Sequence, residues 1–103
     1  MNKNDIFNNY SLKKSTVEVP NWGGEVAIQE LTAGAMELMR KSEGSELEMA
    51  SIVVLYGVVD ENGKRMFADS DKKKLMEMSA ADLVIVSTGV IELSDLGAED
   101  SGK

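Results

Sequence analysis

Val17-Glu18-Val19-Pro20-Asn21-Trp22-Gly23-Gly24-Glu25-Val26-Ala27-Ile28-Gln29-Glu30-Leu31-Thr32 decides how the rest of the chain is read. Val17 and Val19 alternate with Glu18, and Val26 and Ile28 alternate with Glu25, Ala27 and Gln29. That period of two marks each arm as a strand with one buried face. Pro20, the single proline of the chain, ends the first arm. Gly23-Gly24 supplies the positive φ that a chain reversal needs. The stretch Ser15–Leu31 is therefore predicted to be a β-hairpin.

Helical signals lie on either side. Upstream, Ile6 and Tyr10 stand at i and i+4, so residues 1–14 hold a helix of one or two turns, which the neighbouring Asn residues incline to fray. Downstream, Thr32 is a fair N-cap, with Leu31 and Met36 at the positions of a hydrophobic staple. The helix it opens carries Met36, Leu38, Met39 and Lys41 and stops near Ser42–Gly44. Ser45-Glu46-Leu47-Glu48 fits a capping box and opens a helix that is apolar almost all round from Leu47 to Val59, the expected central buried element. Its β-branched Ile52, Val53 and Val54 keep a strand open as the alternative for the second half.

Asp60-Glu61-Asn62-Gly63 is a polar turn leading to a short extended piece through Phe67. Asp69 or Ser70 is placed to cap a short helix over Leu75, Met76 and Met78. Ser79-Ala80-Ala81-Asp82 reads as another capping box, with Met78 and Leu83 as its staple. The last helix carries Leu83, Val84, Val86, Val90, Ile91 and Leu93. The expected fold is α+β and mostly helical, an N-terminal β-hairpin packed on a small bundle of about four helices. Residues 1–96 are expected to form a single domain and 97–103 a disordered acidic tail.

The 103 residues allow one core. With no Cys there is no disulfide framework or thiolate chemistry, and with no His there is no imidazole base or ligand. The 11 basic and 18 acidic residues leave a net charge of −7, a surface that phosphate backbones repel, so nucleic acid is not an expected partner. From residue 75 onward Glu77, Asp82, Glu92, Asp95, Glu99 and Asp100 face only Lys103, either a solvating end or a dock for a basic partner. Neither Ile52–Val59 nor Leu83–Ile91 approaches the ~20 apolar residues that span a bilayer. The start Met1-Asn2-Lys3-Asn4-Asp5-Ile6 has no apolar signal core, so a cytoplasmic location is expected and no membrane partner.

The chemical motifs fail on spacing. Counting back from Gly63, the first calcium-loop position is Val58 and the twelfth is Asp69, where oxygen ligands and a Glu are required. Gly63-Lys64 lacks the upstream Gly of a phosphate loop, and Arg65 stands where Ser or Thr should hold magnesium. Lys72-Lys73-Lys74 is a solvated helix face. The paired carboxylates lie in cap-like, polar contexts that do not raise a pKa for general-acid work. No catalytic, cofactor or metal site is expected. Two features bear on protein binding. Trp22, in the turn, either folds back on the core or stands out as an anchor of the kind that dominates interfaces. The seven methionines, Met36 and Met39 on one helix among them, are either core filler or an adaptable apolar surface.

The run Val17–Thr32 resembles the opening of the tail assembly chaperones of long-tailed bacteriophages and prophages. That pattern has a Val-x-Val-Pro arm, an aromatic or apolar residue before Gly-Gly, and a second arm ending in Glu-Leu-Thr. Asp60-Glu61-Asn62-Gly63-Lys64-Arg65-Met66-Phe67 is similar to the family's Asp-x-x-Gly-Lys-x-x-Phe segment, and Leu75 falls where its short helix starts an apolar face. The resemblance covers residues 15–95. It departs at Gln29, where the family often has Arg, and at Ala33-Gly34-Ala35-Met36, where it tends to place charges. It implies a non-catalytic factor without cofactors that binds the tape measure protein, keeps it soluble and recruits the major tail tube protein. Self-association, a place in the host cytoplasm and absence from the finished virion go with it. A stripe on a long helix needs i, i+3, i+4 anchors, and Trp22, Met36 and Met39 are the residues expected to supply them. Two other classes stay open: a structural virion component, head–tail joining or tail tube, and a small acidic inhibitor of a host nucleic-acid-binding protein.

Overall fold

In a computed structural model, which describes residues 1–42 and 44–94, the alternating arms form the antiparallel strands β1, Lys14–Val19, and β2, Gly24–Gln29. Their register pairs Val17 with Val26, Thr16 with Ala27 and Glu18 with Glu25. A 3-10 turn over Pro20–Trp22 joins them, closed by Gly23 N–H on the Pro20 carbonyl at 3.0 Å. Gly23 and Gly24 then take φ of 105° and 141°, the left-handed region that the paired glycines were expected to fill. The acidic tail expected at 97–103 lies outside the described residues.

Before the hairpin, α1 spans Lys3–Asn9. The Asn residues that suggested fraying include its cap: Asn2 Oδ1 accepts from Asp5 N–H at 3.0 Å, and Asp5 Oδ2 accepts from Asn2 N–H at 3.1 Å. Every residue of α1 is exposed, Ile6 and Phe7 included, and so is Tyr10 at its C-cap.

After the hairpin come α2, Ala33–Lys41, and α3, Glu46–Gly57. Thr32 Oγ1 caps α2 by accepting from Ala35 N–H at 3.1 Å. Ser45 Oγ caps α3 through Glu48 N–H at 3.2 Å. The return half of that expected box does not form, because the Glu48 carboxylate turns to the Lys72 ammonium. The β-branched run Ile52–Val54 is helical, not a strand. Packing decides it: α3 lies among α2, α4 and α5 and buries Ala50, Val53, Val54, Leu55 and Gly57. Ser51 tolerates full burial by donating to the Glu48 carbonyl at 2.7 Å.

Val58 and Val59 leave α3 extended and lie along β2, with Val59 N–H on the Ala27 carbonyl at 3.0 Å. The polar turn follows, with Gly63 at φ 81° and Asp60 Oδ1 accepting from Asn62 and Lys64 N–H at 2.8 and 3.0 Å. The cap of the next helix is neither Asp69 nor Ser70. A 3-10 turn over Asp69–Asp71 precedes α4, Lys72–Met76, and Asp71 Oδ2 accepts from Ala68 N–H at 2.8 Å. Asp69 is engaged by Arg65 instead, and Met78 lies beyond the end of the helix.

The last helix, α5, covers Ala80–Leu93. Ser79 occupies its N-cap without a side-chain bond, so the second expected box is absent. The Asp82 carboxylate is instead the acceptor of Asn21 Nδ2 at 2.7 Å, from the hairpin tip. Asp82 is buried, and the Asn21 amide meets the need for a donor that burial creates. The sheet lays Val19 and Ile28 on α5, which packs its Leu83, Val86 and Val90 into one core with Val53 and Val54 of α3 and with Leu31, Ala35 and Leu75. The α+β, mostly helical fold is thus the expected hairpin on a helical bundle. No helix among the described residues is long and apolar enough to cross a membrane.

Candidate protein-binding surface

The apolar periodicity of α2, α3 and α5 does more than build the core, because the three helices do not close over one another. Between them runs a groove of about 290 Å³ lined by Met39 of α2, Met49, Ala50 and Val53 of α3, and Val84, Ser87, Thr88 and Ile91 of α5. Among the described residues Glu46 is its one charged lining residue. Val84 and Ile85 are exposed on α5, and Leu38 is exposed on α2. From Leu83 to Ile91, α5 carries no charge at all, whereas the solvent side of a surface helix is ordinarily charged or polar.

Of the three residues singled out from sequence, the structure brings only Met39 into this groove. Met36, three residues earlier, is half-buried and does not line it. Trp22 stands elsewhere, at the hairpin tip. It is half-buried against the core, its ring edge-on to Phe67 at 6.4 Å and 75°. Its indole Nε1 is buried and meets no acceptor among the described residues. A shallower hollow of about 370 Å³ lies beside Trp22, lined also by Val26, Val59, Glu61 and Met66, and shares no residue with the groove. Met49, Val84 and Ile91 were missed from sequence. The signal for two of them was present: Val84, Thr88 and Ile91 recur at helical spacing in a segment without charges.

One electrostatic knot fixes the segment that follows α3. Arg65 Nε donates to the Leu55 carbonyl at 2.9 Å, one of the last-turn carbonyls of α3 that a helix leaves unpaired. Its guanidinium lies 3.9 Å from the Tyr56 ring centroid and pairs with Asp69 at 2.8 Å. Asp69 is held below the usual 3.8 by the Arg65 hydrogen bond and charge, with Tyr56 OH adding to it. Asp60 is held below 3.8 by the Lys64 and Asn62 N–H groups. Both depressed pKa values favour the folded state when the carboxylates are ionised, so their contribution is complete above the unfolded value and disappears as pH falls through the folded one. Asp69→Asn is expected to lower the melting temperature at pH 7 and to leave it unchanged near pH 2. Thermal melts at both pH values check this, and an equal loss at both would show that the charge of Asp69 is irrelevant.

Among the described residues no group of three or more Asp or Glu is placed to hold a metal ion. What the arrangement offers among the described residues is a largely apolar, adaptable surface: two methionines, aliphatic side chains from α3 and α5, and a single carboxylate, Glu46.

The architecture is thus a small two-stranded hairpin laid across α5 of a helical bundle. No protein-family profile matches the sequence, and no curated protein matches it. Among solved structures, the tail assembly chaperone of bacteriophage HK97 superposes with a TM-score of 0.71 at 14% sequence identity. The match covers 88% of this chain and 92% of that one, so the two share a fold over nearly their whole length.

Proposed function

We propose that this protein is a phage tail assembly chaperone that binds the tape measure protein, keeps it soluble and helps to recruit tail tube subunits. The observation that carries the reading is the near-complete overlap with the HK97 tail assembly chaperone at a TM-score of 0.71. The motifs Val17–Thr32 and Asp60–Phe67 support it from the sequence side. In this reading the protein is not an enzyme. It acts in the cytoplasm of the host and leaves before the virion is complete.

The groove between α2, α3 and α5 gives the reading a surface. An amphipathic helix presents apolar side chains at i, i+3 and i+4, and a groove walled by two methionines accepts such stripes without demanding one sequence. Co-expression with a tape measure protein from a long-tailed phage is expected to keep that protein soluble and to co-purify it. Met39→Glu with Val84→Glu places charges in the groove and is expected to reduce the recovered client at least tenfold, while Met36→Glu has a smaller effect. Rescue that survives the double change moves the client elsewhere on the protein. Absence of rescue by the unaltered chain, together with its presence in purified virions, favours a structural component.

A further inference from the structure

Among the described residues, one edge of the hairpin is left uncovered. Glu30 N–H donates to the Lys13 carbonyl at 2.9 Å, and that pair lies in the same register as Ser15 with Ile28 and Val17 with Val26. In an antiparallel ladder hydrogen-bonded and non-hydrogen-bonded pairs alternate. The main-chain groups of Lys14, Thr16 and Glu18 therefore point away from β2, as those of Ala27 do on the other side, where the Val59 N–H meets the Ala27 carbonyl. The β2 side is thus occupied. On the β1 side the sheet ends, and Lys14, Ser15, Thr16 and Glu18 are exposed. An edge of this kind is a template for another strand.

We propose that β1 pairs with β1 of a second copy about a two-fold axis through Thr16, giving a continuous four-stranded sheet. The sequence of the edge is complementary to itself when read antiparallel. Centred on Thr16, Lys14 of each copy faces Glu18 of the other, and Thr16 faces Thr16, so both ends of the contact are opposite-charge pairs. The same register makes Lys14, Thr16 and Glu18 the hydrogen-bonding residues, which are those whose main-chain groups point outward. Within one hairpin Glu18 stands directly opposite Glu25, a like-charge pair that destabilises an isolated hairpin. Pairing places Lys14 of the second copy on the free side of Glu18 and relieves it. This dimer gives a surface to the self-association that the resemblance implies, and it is testable without any client protein.

Sedimentation velocity of the full chain from about 1 to 500 μM tests it. A small interface at the low end of stable contacts gives a dimer with a Kd on the order of ten micromolar. Thr16→Pro removes an outward N–H and leaves the β1–β2 ladder, carried by Ser15, Val17 and Val19, intact. It is expected to abolish the dimer while the circular dichroism spectrum is retained. Lys14→Glu and Glu18→Lys each oppose like charges twice across the axis and are expected to weaken the dimer about tenfold, and the double change K14E/E18K restores it. The charge swap decides the matter should Thr16→Pro fail to fold. A chain that stays monomeric throughout the range, or a dimer indifferent to both Thr16→Pro and the single reversals, overturns the proposal.

Discussion

Gly57→Ala is expected to lower the unfolding free energy by about 2 kcal/mol and the melting temperature by about 10 °C. Gly57 ends α3 where that helix crosses α5. A Cβ there would lie 2.6 and 2.7 Å from the two methyl carbons of Val90, which is itself fully buried. Alanine is the better helix former by up to about 1 kcal/mol, so propensity alone predicts a gain. Overpacking reverses the sign, because interiors at crystal-like density have no slack into which Val90 can withdraw. The diagnostic is non-additive. Val90→Ala removes both methyls and leaves only the Cβ of residue 90, at 3.2 Å, so Gly57→Ala introduced into that background is expected to cost markedly less. Urea denaturation of the four variants of this cycle checks the argument, and equal costs of Gly57→Ala in both backgrounds would refute it.

Ile28→Ala is expected to cost about 3 to 4 kcal/mol, a large share of the stability of a domain of this size. Ile28 is 2% exposed, lies on the inner face of β2 and bridges to Val58, and its Cδ1 is 3.4 Å from the space above Gly89. It touches the two halves of the core, the hairpin side and α5, so its loss leaves a cavity that neither side can close. Ile28→Val, which removes one methylene, is expected to cost about 1 kcal/mol. Midpoints of urea unfolding at unchanged slope measure both, and a cost below about 1.5 kcal/mol for the alanine variant would show that the sheet collapses onto α5 freely.

The hairpin was legible in the sequence because its signals are local. The period of two, the one proline and the glycine pair all act within a dozen residues, and the strand limits follow from them. The helix of Leu47–Val59 was less so: Ile52-Val53-Val54 suits a buried strand as well as a buried helix, and only the presence of neighbours on every side selects helix. The two capping boxes at Ser45 and Ser79 show a different limit. Their acidic residues were read as reaching three residues back along the chain, whereas Glu48 reaches Lys72 and Asp82 reaches Asn21. Competition from a partner distant in sequence is invisible to a local pattern. The same holds for the groove, since Met39 is evident as an apolar residue on α2 but its companions Met49, Val84 and Ile91 depend on how three helices are placed in space.

The clasp between Asn21 and Asp82, and the bond from Leu31 N–H to Ser94 Oγ at 2.9 Å, join the beginning of the domain to its end. Contacts this far apart close late, since a long loop must be ordered before either is made. On a ribosome, therefore, the hairpin emerges long before α5 and waits. Its inner valines have no permanent cover until α5 has been synthesised and has cleared the exit tunnel. Among the described residues the last helix completes the hairpin, so an interrupted chain leaves that hairpin with its apolar side open rather than a smaller working domain.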